Sequence, residues 1–302
     1  VGGGERDSAV IVAVEQYQDL APVAGAIASA DDWYDYFTRE LQVPAPRVQT
    51  VKVQVTAKKM QGAVERAARE AATSGGRLWF VFIGHGAPVV DKSGGVVAAT
   101  DGLLVDSRAL ADELTGLKHS ELMRLMESAA RGGQAPVAIL DACYSGKVAD
   151  GEDKATRSLT GAAMTEFKFA PPTPQRVLVL SAAASDQVAY PLPGLPERRP
   201  AFSYLLLGGL RGWADTDGNR DGAVSADEAI GFTQMALSHL GRDQRPKLIG
   251  KGAVQLSRVG AVPAVDVRAY ANLLARGGTK ASCNEGFEWR DIECREEKGR
   301  DW

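Results

Sequence analysis

The sequence predicts an α/β fold, a three-layer α/β/α sandwich built on a mostly parallel central sheet. Short, unbroken apolar runs recur along the chain, as expected of strands that are buried on both faces. Segments with apolar residues at helical spacing lie between these runs, and such alternation favours parallel strands connected by helices on both faces of the sheet. With 302 residues, 45% of them hydrophobic, the chain is long enough to bury a large core.

Each predicted element has its own pattern. Unbroken apolar strands are predicted at 9–14, 78–83, 136–140 and 177–180, a half-exposed strand at 48–55, and a weaker strand at 248–256. Amphipathic or alanine-rich helices are predicted at 24–41, 57–72 and 107–130, and a short helix at 265–274.

These elements predict one domain over residues 1–258, followed by an extension at 259–302. Residues 147–175 are polar, irregular and rich in proline at their end. They therefore indicate a surface linker between a first part of the domain (1–146) and a second part (176–258).

The charge balance and hydropathy argue against two classes of protein. Lys and Arg number 35 against 38 Asp and Glu, a net charge of -3, which is unlike a dedicated nucleic-acid binder. No apolar run approaches the roughly 18 residues that a membrane span requires. The chain begins with Val1-Gly2-Gly3-Gly4 and without a signal-like segment, so we expect a trimmed chain whose targeting signal is not in view.

Three cysteines are present, and Cys283 and Cys294 lie close together in a short polar tail. A disulfide between them would contribute about 2–4 kcal/mol and would indicate an extracytoplasmic location, periplasmic or secreted. The alternative is a pair of free thiols. Cys143 has no pairing partner in either case.

Two predicted strands end close to chemically reactive residues. Strand 78–83 is followed by Gly-His-Gly with His85 at its centre, and strand 136–140 is followed shortly by Cys143. Because catalytic groups in open parallel sheets lie beyond the carboxyl ends of the strands, the two side chains would face each other if these strands are neighbours. The flanking glycines would let a substrate backbone approach. The alternative is a buried core thiol and a turn histidine.

A cysteine beside a histidine supports nucleophilic acyl transfer. A free thiol has a pKa near ~8.5, so a neighbouring imidazole raises the reactive thiolate fraction and then protonates the leaving amine. The N–H groups of Gly86 and Cys143 are candidate oxyanion donors, each worth about 3–4 kcal/mol in comparable sites. A cysteine phosphatase needs Arg six residues after its cysteine, where this chain has Ala149. A nucleophile-elbow hydrolase needs Gly two residues before its nucleophile, where this chain has Asp141. The sequence therefore argues against both classes of enzyme.

These motifs resemble those of a known family. Phe-Ile-Gly-His85-Gly is followed, 58 residues after the histidine, by Asp-Ala-Cys143-Tyr-Ser-Gly. This pattern is similar to the caspase-like cysteine peptidases of clan CD, and nearest to the bacterial metacaspase or orthocaspase branch. The resemblance covers about residues 8–257. It implies a caspase-like sandwich, a Cys143–His85 dyad without an obligate third member, an oxyanion hole at Gly86 and Cys143, and a monomer.

Asp141, two residues before Cys143, would select a basic side chain from the floor of a pocket, because Arg and Lys pair with a carboxylate. The resemblance implies the same, since the matching Asp of metacaspases lines the S1 pocket and selects Arg or Lys at P1. Ser29 stands where the family has an Asp, and Ile83 where it has a Ser, so a weaker preference is expected, with Asp186 as a source of further charge. The alternative is that Asp141 only hydrogen-bonds a turn.

The linker also predicts self-cleavage, because proteolytic nicking is easy in an exposed segment. The alternative is a linker whose basic residues serve solubility alone. The candidate cleavage sites are the basic residues Lys147, Lys154, Arg157 and Lys168.

Residues 217–228 match the twelve-residue EF-hand loop at each constrained position, including glycine at the sixth place and glutamate at the twelfth. Ca²⁺ is therefore the predicted cofactor, and no organic cofactor is expected. The alternative is an acidic turn without a metal. The predicted ligands are Asp217, Asn219, Asp221, the carbonyl of Ala223, and Glu228.

The leading hypothesis is a cysteine endopeptidase that cleaves polypeptides after Arg or Lys, with calcium dependence and self-processing in the linker. One alternative is a catalytically silent calcium-binding scaffold or interaction module with the same fold. Another is a secreted structural protein that calcium stabilises. No nucleic-acid partner and no membrane span are expected.

Overall fold

The computed structural model describes most of the predicted domain and two short strands of the extension. The described residues are 2–89, 101–110, 113–142, 147–149, 156–158, 176–182, 192, 199–241, 244–259, 287–290 and 293–296.

The elements are numbered in chain order. The strands are β1 (Ser8–Ala13), β2 (Val48–Val51), β3 (Leu78–Ile83), β4 (Gly86–Pro88), β5 (Gly102–Val105), β6 (Gly116–Lys118), β7 (Val137–Asp141), β8 (Lys147–Ala149), β9 (Thr156–Ser158), β10 (Leu178–Ser181), β11 (Ala223–Ser225), β12 (Lys247–Ile249), β13 (Gln255–Arg258), β14 (Phe287–Arg290) and β15 (Glu293–Glu296). The helices are α1 (Ala26–Asp35), α2 (Ala57–Ser74), α3 (His119–Ala129), α4 (Ala201–Gly208), α5 (Ala214–Asp217) and α6 (Ala226–His239), with π-helical turns at Tyr36–Glu40 and Gly209–Trp213 and a 3₁₀ turn at Ala45–Arg47.

The central sheet has six strands in the order β12-β10-β7-β3-β1-β2. All neighbours pair in parallel except β12, which runs antiparallel to β10 at one edge. The prediction of a mostly parallel sheet is confirmed. Its carboxyl ends therefore meet along one side of the molecule.

Alternate residues of the central strands supply two separate cores, one on each face of the sheet. On one face Val81 and Ile139 pack in the same buried cluster as Trp33 of α1, and residues of α4 and α6 belong to this cluster too. On the other face Phe80 packs in the cluster that contains Met60 of α2, together with residues of α3. Helices thus cover both faces, as the α/β/α sandwich requires.

A three-stranded antiparallel sheet, in the order β4-β5-β6, follows directly after the central strand β3. The predicted helix over 107–130 is wrong in its first half, because helix α3 begins only at His119 and β6 precedes it. Gly116 explains the difference. A Cβ at this position would lie 2.0 Å from the Leu104 carbonyl oxygen, so the glycine lets β6 pair closely with β5.

The predicted strand 248–256 is also two strands in the structure. β12 joins the central sheet and β13 pairs with β11, and the turn between them includes Gly250 at φ 122°. The linker, expected to be irregular, contains the antiparallel pair β8 and β9. In the extension, β14 and β15 form a hairpin in which Cys294 lies opposite Trp289. Cys283 and the predicted helix 265–274 lie outside the described residues.

Among the described residues, no helix combines the length and the apolar character that crossing a bilayer requires.

Candidate active site

The two strands that lead to His85 and Cys143 are direct neighbours. β3 and β7 pair in parallel with Ile83 opposite Asp141, and the N–H of Gly84 donates to the Asp141 carbonyl at 3.2 Å. His85 follows Ile83 by two residues, and Cys143 follows Asp141 by two residues. Cys143 itself lies outside the described residues, so its contact with His85 stays a prediction.

The imidazole of His85 is oriented by a backbone carbonyl. The side chain is buried, with 6% of its surface exposed. Its Nε2 atom lies 2.7 Å from the carbonyl oxygen of Ala21. Because a carbonyl oxygen only accepts hydrogen bonds, Nε2 carries the proton in the neutral ring and Nδ1 is the basic nitrogen.

Tyr17 holds the same histidine from a second direction. The N–H of His85 donates to the Tyr17 hydroxyl at 2.7 Å, and the two rings lie 4.7 Å apart between centroids at 38°. Burial raises the pKa of the Tyr17 phenol above its usual value, so the hydroxyl is neutral in the physiological range. Sequence reasoning did not find Tyr17 or Ala21. Because β1 pairs in parallel with β3, the loop after β1 lies next to His85. The pairing of these two predicted strands is therefore the signal that could have pointed to this loop.

Gly84 has a different role from the one the sequence predicted. Its missing side chain was expected to leave room for a substrate backbone. A Cβ at this position would instead lie 2.7 Å from the Tyr17 hydroxyl oxygen and 3.0 Å from a ring carbon of Phe82. The glycine therefore makes room for Tyr17 to reach the N–H of His85.

The N–H of Gly86 points away from the neighbouring strand β5. Gly86 pairs with Leu104 across β4 and β5, and the next pair is joined by the Val105 N–H donating to the His85 carbonyl at 3.0 Å. Hydrogen-bonded and non-hydrogen-bonded pairs alternate in antiparallel strands. The amide of Gly86 thus faces the side of β4 that is turned away from β5, and among the described strands β4 lies at the edge of its sheet.

Asp141 is the last residue of β7 and is buried, with 3% of its surface exposed. Its Oδ2 atom accepts the N–H of Ser203 in the first turn of α4 at 2.9 Å. Burial raises the pKa of Asp141 to about 6, against the opposing effect of hydrogen bonds from Ser203. Asp141 therefore stabilises the start of α4. This contact supports the alternative in which the carboxylate has only a structural role. Ser29 is buried in α1, and Asp186 lies outside the described residues.

In the loop predicted to bind calcium, two side-chain oxygens each accept the backbone N–H two residues further on. Asn219 Oδ1 accepts the N–H of Asp221, and Asp221 Oδ1 accepts the N–H of Ala223, both at 2.9 Å. Gly222 has φ 83°, a conformation that favours glycine. Glu228 closes the loop, since its Oε2 atom accepts the N–H of Ser225 at 2.8 Å in a capping box at the start of α6.

Asp215, which sequence reasoning left out, organises the start of this loop. Its Oδ2 atom accepts the Gly222 N–H at 3.3 Å, and its carbonyl accepts the N–H groups of Gly218 and Arg220, each at 3.1 Å. The side chain of Asp217 lies outside the described part of the chain. Within that part, no group of three or more His, Cys, Asp or Glu side chains is arranged to hold a metal ion.

The parallel sheet, its small antiparallel appendage and a buried histidine at the carboxyl edge define a caspase-like α/β sandwich. The chain belongs to the caspase family, because the family model described as caspase domain matches residues 6–248. That family assignment supports cysteine peptidase activity in general and protein substrates.

Solved structures show the same fold at low sequence identity. Protein GSU0716 from Geobacter sulfurreducens is 18% identical with a TM-score of 0.53, covering 83% of this chain and 94% of that one. Caspase-1 from Spodoptera frugiperda is 14% identical with a TM-score of 0.53, covering 84% and 89%. A structure described as pro-sf-caspase-1 is 12% identical with a TM-score of 0.51, covering 84% and 93%. No curated protein matches the sequence significantly.

Proposed function

We propose that the protein is a cysteine endopeptidase in which His85 and Cys143 form the catalytic dyad. The observation that carries this proposal is the register of the two strands, because Ile83 pairs with Asp141 and each reactive residue follows its paired residue by two positions. Paired strands lie about 4.8 Å apart. The chain segments that lead to His85 and Cys143 therefore leave the same edge of the sheet from adjacent strands.

The proposed chemistry uses the tautomer that Ala21 supports. Nδ1 of His85 takes the proton of the Cys143 thiol, and the sulfur attacks the carbonyl carbon of the scissile peptide bond. The resulting oxyanion accepts hydrogen bonds from the N–H groups of Gly86 and Cys143. When the C–N bond breaks, His85 returns the proton to the leaving amine, and an acyl-enzyme forms.

Hydrolysis of the acyl-enzyme reverses these roles. His85 takes a proton from water as the water oxygen attacks the acyl carbon. The C–S bond then breaks, and the thiol of Cys143 is regenerated with the proton from His85. The Ala21 carbonyl stabilises the imidazolium at both stages, since its hydrogen bond to Nε2 strengthens when the ring is charged.

The proposed substrates carry Arg or Lys at P1, and Asp141 is the proposed counter-charge. The carboxylate is buried at the end of β7, two residues before the proposed nucleophile in sequence. Its pKa of about 6 leaves the carboxylate mostly ionised near neutral pH, and a bound guanidinium or ammonium group would stabilise the ionised form further. Ser29 and Asp186 are proposed as further members of the pocket.

Calcium binding and self-processing are proposed as regulation of this activity. The turns at Asn219, Asp221 and Gly222 and the cap at Glu228 fit a calcium loop that adjoins α6. A bound Ca²⁺ ion would neutralise the carboxylates of the loop and fix it against α6. Self-cleavage is proposed in the linker after a basic residue.

Three further properties stay proposals. Membership of the bacterial metacaspase branch and a monomeric state follow from the motif resemblance alone. A Cys283–Cys294 disulfide, with the extracytoplasmic location it would indicate, rests on the spacing of the two cysteines.

A peptide assay tests the proposed function and separates it from a silent scaffold. Fluorogenic peptides that end in Arg, Lys or Asp are incubated with the wild-type protein and with Cys143→Ala, with and without Ca²⁺. We expect hydrolysis of the Arg and Lys peptides by the wild type only. A wild type that hydrolyses none of them while binding Ca²⁺ would favour the scaffold.

A further inference from the structure

We propose that Tyr17 is a positioning residue that fixes His85 in the orientation its reaction needs. The inference deepens the proposed function and rests on His85 being the catalytic base. Tyr17 does not touch the substrate or the sulfur in this scheme. It acts through the backbone and the ring of His85.

The loop that follows β1 holds His85 at two separate points. Tyr17 accepts the His85 N–H at 2.7 Å and lies against its ring, whereas the Ala21 carbonyl lies 2.7 Å from Nε2. The first contact sets where the residue enters the site, and the second sets the rotation of the ring. Together they fix the position and the rotation of the imidazole, and therefore the direction of Nδ1.

This loop is itself anchored to the rest of the fold. At its start the Val14 N–H donates to the Ile83 carbonyl at 2.9 Å, and near Tyr17 the Gln18 N–H donates to the Ser107 carbonyl at 3.0 Å. Leu20 is buried in a small cluster with residues of β4 and β5. A loop held by hydrogen bonds and apolar packing can position His85, which a mobile loop cannot do.

The lack of a side chain at Gly84 makes room for the Tyr17 hydroxyl beside the backbone of the histidine motif. The Tyr17 hydroxyl oxygen lies where only a residue without Cβ can be accommodated, at 2.7 Å from the Cβ position of residue 84. The tyrosine hydroxyl thus occupies space left by a glycine of the histidine motif itself. Side chains that act as proton acceptors need to be held within about 0.5 Å and 10–20° of their productive geometry.

The test compares Tyr17→Phe with a matched control, Tyr34→Phe, in the full chain. Tyr17→Phe keeps the aromatic ring and removes the hydroxyl, so the N–H of His85 loses its partner. We expect kcat to fall by about 10–100-fold with KM nearly unchanged, because misplacement of a reacting group slows the chemical step. Tyr34→Phe removes a hydroxyl from α1 and should leave both constants within about 2-fold.

Nitrogen NMR of histidine-labelled protein gives a second readout that does not depend on activity. In the wild type the His85 signals, assigned by their loss in His85→Gln, should show the Nε2-protonated tautomer. In Tyr17→Phe they should broaden or shift toward a mixture of tautomers. If the wild type hydrolyses no peptide, the proposed function fails, and the NMR comparison still decides whether Tyr17 orients the ring.

A second substitution covers the case in which Tyr17→Phe does not fold. Gly84→Ala keeps the hydroxyl but places a methyl group against it, so it should lower kcat in the same way. Combined in one protein, the two substitutions should cost less than the product of their separate effects, because both act on one contact. Unchanged kcat and an unchanged His85 tautomer in the folded Tyr17→Phe protein would overturn the proposal, as would full additivity of the two substitutions.

Discussion

The carboxylate of Asp141 accepts the backbone N–H of Ser203 at 2.9 Å, which ties the end of β7 to the first turn of α4. The residue proposed to select the substrate is therefore also part of the scaffold. The two roles make different predictions, because the hydrogen bond needs only an acceptor oxygen, whereas recognition of a basic side chain needs a negative charge.

Replacing Asp141 by asparagine should separate these roles. Asp141→Asn keeps an oxygen for Ser203 but removes the charge, so kcat/KM for Arg and Lys peptides should fall about 100-fold or more, since a charge-assisted hydrogen bond is lost. Steady-state kinetics with Arg, Lys and Leu peptides measure this effect. Asp31→Asn, at an exposed acid of α1, is the matched control and should change little. Equal losses on all three peptides in the Asp141 variant would argue against a role in specificity.

The raised pKa of Asp141 predicts an unusual dependence of stability on pH. With a pKa of about 6 in the folded protein and an ordinary value near ~4 when unfolded, the folded state holds the extra proton between those limits. The free energy of unfolding should therefore fall as pH rises from about 4 to 6, by on the order of 2–3 kcal/mol.

Chemical denaturation of the wild type and Asp141→Asn at several pH values measures this contribution. The comparison is needed because His119 works in the opposite direction: burial lowers its pKa to about 4, so this group stabilises the fold as pH rises through the same range. Subtracting the Asn variant isolates Asp141. If the wild type gains stability over the variant as pH increases, the sign of the argument is wrong.

Most of the central sheet could be predicted from the sequence, and its surroundings could not. Unbroken apolar runs such as 78–83 identify strands because a strand buried on both faces has no polar position to interrupt it. The short strand β6 lies within a segment predicted as helix because the leucines on either side of it, Leu110, Leu114, Leu122 and Leu125, fit helical spacing. The close contact of Gly116 with Leu104 is a tertiary feature that this spacing does not show. Short strands of this kind carry too few residues to show a period.

The candidate site, too, could be predicted only in part from the sequence. His85 and the neighbouring strand end were predictable because glycine-flanked reactive residues at strand ends are local patterns. Tyr17 and Ala21 were not, because their roles depend on the pairing of β1 with β3 and, for Ala21, on a backbone carbonyl that exists in every residue. The helix contact of Asp141 was missed since Ser203 lies 62 residues away in sequence.

The hairpin in the linker refines the prediction of self-cleavage. Lys147 and Arg157 lie within the paired strands β8 and β9, whereas Lys154 and Lys168 lie outside the described residues. Because strand pairing keeps Lys147 and Arg157 from binding in a peptidase cleft, cleavage should follow Lys154 or Lys168 in preference to these two paired residues.

Intact mass measurement of wild-type protein over time, beside Cys143→Ala, locates the cut. Lys154→Gln should remove the corresponding fragments, and Lys147→Gln serves as the matched control. Equal fragmentation of the wild type and the Cys143 variant would show that another peptidase makes the cut.

Calcium should stabilise the wild-type protein through the loop before α6. At a free concentration about 1,000 times the dissociation constant, an ion that binds only the folded state adds about 4 kcal/mol. Glu228→Gln should abolish this gain while leaving the apo stability nearly unchanged, because glutamine preserves the capping box with Ser225. Asp227→Asn, at the exposed eleventh place of the loop, is the control.

Calorimetric titration measures the uptake of Ca²⁺, and thermal unfolding with and without Ca²⁺ measures the gain in stability. Identical calcium uptake by the wild type and Glu228→Gln would remove the loop from consideration as the binding site.

The central claim is that His85 makes the sulfur of Cys143 nucleophilic, and covalent labelling tests it most directly. The protein is treated with a chloromethyl ketone carrying Arg at P1, and the modified cysteine is identified by peptide mass spectrometry. We predict one adduct, on Cys143, that forms much more slowly in His85→Ala, while Cys283 and Cys294 stay unlabelled. Labelling of Cys143 at the same rate with and without the imidazole, or at no higher rate than at the other two cysteines, would contradict the account.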